Sequence, residues 1–226
     1  MTRDADVALP LRALAESDLR AQLLAADFRE RLTADHQPPV TRYELGGQTG
    51  VFYAEFLTPL EGGQNRRDGM PDVTVRIAGV NAQKLRHLDV VLRKPWTVRL
   101  DPGNGFPFHQ PTDVLVPNAA AYLAQKILIH GKRRPEERAR DVLYIHDTIE
   151  TFGRSLDKLQ AEWREHVRPE LSRRAVPTVE TAAASMFGSV SDVIRNAAIQ
   201  ARQTGRTLNP ETLRLAGEAG LTAIFG

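Results

Sequence analysis

The repeat of apolar residues changes once along this 226-residue chain, near Pro117, and that change narrows the folds open to it. Ahead of it, short runs of β-type composition alternate with turn clusters at Gly46-Gly47, Gly62-Gly63-Gln64-Asn65 and Asp101-Pro102-Gly103-Asn104-Gly105. Beyond it the chain is rich in Ala, Leu, Arg and Glu, and apolar residues recur at helical spacing with few turn signals. Strand-type and helix-type patterns kept in separate stretches predict an α+β protein. A mixed sheet with flanking helices is expected over residues 1–115, followed by a helical region over residues 116–226.

In the first stretch, residues 2–9 read as a strand ended by Pro10. Residues 17–32 read as an amphipathic helix with Ser17 as N-cap and Leu19, Leu23 and Ala26 on one face. Residues 43–45 and 51–57 read as strands around the Gly46-Gly47 turn, and residues 73–77 as another. Residues 90–92 form a short apolar segment, and residues 96–100 alternate like a half-buried strand. In the second stretch, Pro117 precedes a helix over residues 119–130 that Gly131 stops. Pro135 opens the next helix, along which Val142, Ile145, Ile149 and Phe152 recur. Only Lys132, Arg133 and Arg134 separate the two, so an antiparallel hairpin is expected. Further helices are expected near residues 155–168, 178–203 and 209–219.

Composition bounds the chemistry. Cysteine does not occur, which excludes disulfide scaffolds, thiolate zinc sites, iron–sulfur clusters and cysteine nucleophiles. With 42% hydrophobic and 26% charged residues the chain is neither disordered nor membrane-embedded. The start, MTRDADVALP, is unlike a signal peptide, so a soluble cytoplasmic protein is expected. A net charge of +2 gives no general pull toward nucleic acid, so any basic patch has to be local. Gly131-Lys132 lacks the first glycine and the hydroxyl of a phosphate loop, and neither G-x-S-x-G nor H-E-x-x-H occurs. Oxygen ligands and hard cations remain.

Asp4 and Asp6 fall on one face of the first strand, and carboxylates converging there suit an ion such as Mg²⁺; a solvated acidic terminus is the alternative. Glu55 is the one side chain charged at neutral pH in the run from Val51 to Leu60, where a charge is costly unless it pairs, binds a metal or faces water. Asp89 competes for the same role, and Asp72 more weakly. Lys126, in an otherwise apolar helix, either snorkels outward or points into a cleft. Residues 132–140 hold five basic and two acidic side chains, which suit a phosphate or RNA backbone. The same residues suit a salt-bridged helix start with Glu136 and Glu137 pairing Arg140 and Arg138. His130 and His146 read as helix-surface or hairpin-packing residues.

In order, these residues resemble a known family. Thr2-Arg-Asp-Ala-Asp-Val7 is similar to the D-x-D strand of the DNA polymerase β-like nucleotidyltransferase superfamily. Ala54-Glu-Phe-Leu-Thr-Pro-Leu60 resembles its later strand, whose acid is the third metal ligand. Pro117, Tyr122, Lys126, Arg133 and Arg140-Asp141 resemble the helical pattern of a bacterial nucleotidyltransferase subgroup similar to abortive-infection toxin nucleotidyltransferases. The likeness covers roughly residues 2–150 and implies a nucleotidyltransferase-like domain at 1–115 with a helical domain at 116–226. It implies that Asp4, Asp6 and Glu55 hold Mg²⁺ or Mn²⁺. Lys126 would contact the NTP triphosphate, Arg133 would be a second phosphate contact, and Asp141 a polar organiser or base. The implied activity is transfer of a nucleotidyl group from an NTP to an RNA (tRNA-like), protein or small-molecule hydroxyl, with no membrane partner. The resemblance also places a helix-opening G-S motif well ahead of the D-x-D strand, whereas three residues precede Asp4 here, and the third acid is glutamate where aspartate is usual. An N-terminally truncated reading of a longer gene is therefore expected. The alternative is a catalytically degenerate member that binds nucleotide, RNA or a partner protein without turnover.

Overall fold

A computed structural model of the chain describes residues 4–12, 18–33, 40–47, 50–63, 65, 69, 72–104 and 110–226. The chain divides into two compact units, Met1–Leu92 and Arg93–Gly226. The first comprises β1 (Asp4–Ala8), α1 (Leu19–Ala25), β2 (Arg29–Thr33), β3 (Val40–Gly47), β4 (Gly50–Pro59), β5 (Thr74–Ile77), β6 (Val80–Leu85) and α2 (Leu88–Val91). Its sheet has the order β2-β3-β4-β6-β5, with β1 added to β4. The β1–β4 and β4–β6 pairs are parallel and the others antiparallel, so the sheet is mixed as expected.

Alternation along β4 sorts the unit's two faces. Ala54 and Phe56 point with Tyr43 into a core completed by Ile77, Val80 and Ala82, against which Leu19, Leu23 and Phe28 pack. The Tyr43 and Phe56 rings meet edge to face, their centroids 5.4 Å apart. Leu57 packs with Leu88 and Val91 of α2, so the apolar residues at 90–92 end a helical turn.

The single helix expected over residues 17–32 is instead a helix followed by a strand. Ser17 lies outside the described residues, as do Thr2 and Arg3 of the first strand and Gly105 of the third turn cluster. Asp18 is the N-cap, its carboxylate accepting from the Ala21 N–H at 3.0 Å. The helix stops because Asp27 adopts a φ of 64°. The N–H groups of Asp27 and Phe28 then donate back to Leu24 and Leu23 carbonyls at 3.2 and 3.0 Å. That is the hydrogen-bond pattern of a Schellman end, with aspartate in the position glycine usually takes. The chain reverses there, and Arg29–Thr33 pairs with β3. A second concealed reversal, at Ala78 and Gly79 (φ 49° and 82°), joins β5 to β6 through the left-handed turn that suits a two-residue hairpin.

The second unit opens with the antiparallel hairpin of β7 (Trp96–Leu100) and β8 (Thr112–Val116) and continues as helices. These are α3 (Ala119–His130), α4 (Pro135–Phe152), α5 (Leu156–Glu162), α6 (Ala175–Glu180), α7 (Ala182–Phe187), α8 (Asp192–Gln203) and α9 (Pro210–Phe225). The compact division thus falls ahead of the hairpin, and the change of sequence texture falls behind it. Asn118 links the two parts of the unit: its Oδ1 accepts from the Ala121 N–H at 2.7 Å, and its amide donates to the Arg93 and Lys94 carbonyls. The helix expected over 178–203 is broken into parts of α6, α7 and α8. Gly188 ends α7, and the Ser191 hydroxyl caps α8. The α5 helix runs into a π-helical turn at Trp163–Val167, whose Trp163 packs edge to face on Phe225 of α9 with centroids 4.9 Å apart. Among the described residues no helix is long and apolar enough to cross a membrane.

The α9 helix comes close to its neighbours because it has no side chain at two points. A Cβ at Gly217 would collide with the Phe187 ring, and one at Gly220 with the Ile149 side chain. Gly217→Ala is expected to destabilise the protein by about 1–3 kcal/mol through overpacking, despite alanine's better helix propensity. Urea unfolding checks this, and an unchanged or raised midpoint would contradict the close approach.

Candidate active site

The parallel pairing of β1 with β4 sets Asp6 directly opposite Glu55 and Asp4 opposite Tyr53. Strand alternation then puts Asp4, Asp6 and Glu55 on one face of the sheet, the face opposite Ala54 and Phe56. On the other edge of β4, Arg42 of β3 is the register partner of Glu55, and Arg31 of β2 is the partner of Arg42. One row across four strands therefore reads Asp6, Glu55, Arg42, Arg31: two acids followed by two bases.

Side-chain contacts tie this row together. Arg42 Nε donates to Glu55 Oε1, and both side chains are largely shielded. The Arg42 Cζ lies 4.7 Å from the centroid of the Tyr53 ring, within cation–π range. The Tyr53 hydroxyl reaches Asp4 Oδ2 at 3.5 Å, and burial, followed by the Asp4 charge, raises the phenol pKa above its ordinary value. Arg31 meets Glu44 at 3.4 Å. Carboxylate oxygens suit a hard divalent cation in chemistry and in face. As they stand, though, no three His, Cys, Asp or Glu side chains among the described residues are grouped to hold one. Asp89 lies exposed in the first turn of α2 rather than on a strand, and Asp72 is paired with Lys84 at 2.8 Å.

The helical unit brings together Lys126, Arg133 and Asp141. Lys126 of α3 and Asp141 of α4 face each other across the hairpin, Nζ to Oδ1 at 3.7 Å, and Arg133 Nε lies 3.7 Å from Asp141 Oδ2. The Lys126 ammonium also sits 5.2 Å from the Tyr122 ring centroid and 4.9 Å from that of Tyr144. Asp141 is almost wholly buried, and its Oδ2 has no hydrogen-bond partner among the described residues. Burial pushes its carboxyl above the usual carboxylate range, and the charges of Lys126 and Arg133 pull it back only in part.

The basic run at 132–140 is largely engaged with its own surroundings. Arg138 donates to the carbonyls of Arg133 and Gly131 at 2.9 Å, and Glu137 meets Arg134 at 3.2 Å and Arg133 at 3.8 Å. Glu137 thus pairs with the arginines before it and not with Arg138. His146 is buried beside Asp147, its Nδ1 3.2 Å from Oδ1, and His130 is shielded and held below the usual histidine pKa by burial and then by Arg138. Arg42 and Tyr53 are the residues that sequence reasoning missed. The available signal was that Arg42 and Glu55 stand equally far from the Gly47–Gly50 pair that closes the β3–β4 hairpin.

A family model described as nucleotidyltransferase matches residues 1–168. No curated protein and no solved structure matches the chain.

The burial of Asp141 has a pH signature. Its proton is held more tightly in the folded protein than in the unfolded chain, so ionisation costs stability as pH rises through and above the ordinary carboxylate range. Asp141→Asn stays neutral, so its stability relative to the parent is expected to rise between about pH 3 and pH 7. Urea unfolding at several pH values checks this, and a gap constant with pH would show that burial does not dominate.

Proposed function

The chain belongs to the nucleotidyltransferase family, and on that premise we propose that it transfers a nucleotidyl group from an NTP to an RNA (tRNA-like), protein or small-molecule hydroxyl, using the sheet face of Asp4, Asp6 and Glu55. The observation that carries this reading is the β1–β4 register, which puts Asp6 beside Glu55 with Asp4 on the same face. Those three carboxylates would hold Mg²⁺ or Mn²⁺, and the bound ion would align the acceptor with the α-phosphorus and offset charge on departing pyrophosphate. Lys126 serves as a cation for the triphosphate, with Arg133 as a second phosphate contact. Asp141 is a positioning residue in this reading: lying 3.7 Å from both cations, it fixes where each points. The likeness of Lys126, Arg133 and Arg140-Asp141 to the toxin-type bacterial subgroup makes a cytoplasmic enzyme of that kind the finer form of the proposal.

A second reading is a nucleotide-binding protein without turnover. It is favoured by the engagement of Glu55 with Arg42 and by the lack of a ready three-acid group among the described residues.

Transfer of label from each radiolabelled NTP to RNA and protein pools separates the two. Transfer is expected with Mg²⁺ or Mn²⁺, and Asp4→Ala or Asp6→Asn is expected to lower it by more than about 100-fold, the upper end of what an outer-shell partner costs. Nucleotide binding by calorimetry without any transfer would favour the second reading. Transfer that survives both substitutions would overturn the assignment of the sheet face. Lys126→Ala is expected to raise the KM for NTP more than it lowers kcat, as befits a residue that binds the triphosphate in ground and transition states alike.

A further inference from the structure

Arg42 stands in the middle of the carboxylate face, and the likeness to the family assigns it no role. It is the register partner of Glu55 on one side and of Arg31 on the other. Its Nε bonds Glu55, its guanidinium lies over the Tyr53 ring, and Tyr53 in turn reaches Asp4. A guanidinium and a divalent cation make the same demand on Glu55, that of a positive partner for its oxygens, so the two compete for it. Releasing Glu55 would leave two guanidinium groups facing each other across β2 and β3, Arg42 and Arg31, with Glu44 on Arg31, and that surplus of positive charge favours a further anion. A triphosphate is such an anion, and a planar guanidinium matches its oxygens in two-pronged fashion.

Resting on the reading of this face as the transfer site, we infer that Arg42 is an exchangeable counter-ion. It holds Glu55 while no cation is bound, and it turns to the phosphate oxygens of the NTP when the divalent ion takes Glu55. Cation and nucleotide binding are thereby linked through one side chain. The arrangement also accounts for the ungrouped acids: the third carboxylate is held by the protein's own cation.

The two ligands give a test of opposite signs. Mn²⁺ alone is titrated into the full chain by electron paramagnetic resonance, and α,β-methylene analogues of the four NTPs are titrated with Mg²⁺ by calorimetry. Arg42→Gln is expected to bind Mn²⁺ about tenfold more tightly and the matching analogue about tenfold more weakly, through loss of one near charge in each case. Arg42→Lys, which keeps the charge but not the fork, is expected to fall between on both, and it carries the test if the glutamine variant does not fold. A structural ion pair alone would lower the thermal midpoint and leave both affinities where they were. A variant with the parent's circular dichroism whose two affinities move together, or of which either is unchanged, overturns the exchange. A parent chain that binds neither Mn²⁺ nor any analogue overturns the transfer site itself, and this inference with it.

Discussion

Everything on the polar face follows from how β1 lies against β4. Strand side chains alternate, so a slip of one residue would carry Asp4 and Asp6 to the opposite face, among Tyr43, Ala54 and Phe56. Val7, 36% exposed on that face, would move to the polar side, and the two acids would lose Tyr53 and Glu55 as their register partners. The register is thus carried by the ladder that runs from Asp4 and Tyr53 to Ala8 and Leu57. Leu57 reinforces it at the far end of β4, where it packs with Ala8, Leu85 and the α2 residues Leu88 and Val91.

Much of this was open to reading in the chain itself. The D-x-D alternation and the solitary Glu55 in an apolar strand locate the face, and the apolar repeat locates the α3–α4 hairpin to within a residue or so. Two reversals stayed hidden because non-glycine residues carry the left-handed backbone. Asp27 ends a helix in the middle of a stretch with continuous helical spacing, and Ala78 shares a turn with Gly79. The Arg42–Glu55 partnership stayed hidden for a related reason. Placing the turn at Gly46-Gly47 mispairs the hairpin, whereas the observed closure at Gly47 and Gly50 leaves Arg42 facing Glu55. Long-range register is a tertiary property, and one uncertain turn is enough to conceal it.

The helical unit handles charge differently. On the sheet, opposite charges meet at a surface that water can still reach. Between α3 and α4, a nearly buried carboxylate stands 3.7 Å from two cations. Lys126 is steadied as much by the faces of Tyr122 and Tyr144 as by Asp141.

The strand β2 ends the sheet path, and its row of backbone donors and acceptors would otherwise invite a further strand from another chain. Its sequence, Arg29-Glu30-Arg31-Leu32-Thr33, answers that hazard with charge on both faces: Glu30 is tied to Arg20, and Arg31 to Glu44. A passing strand would have to strip solvent from these ions before it could pair. Arg31 of the polar face thus has a second consequence, in colloidal behaviour: with the Arg20–Glu30 pair it guards the strand that ends the sheet path among the described residues against self-association.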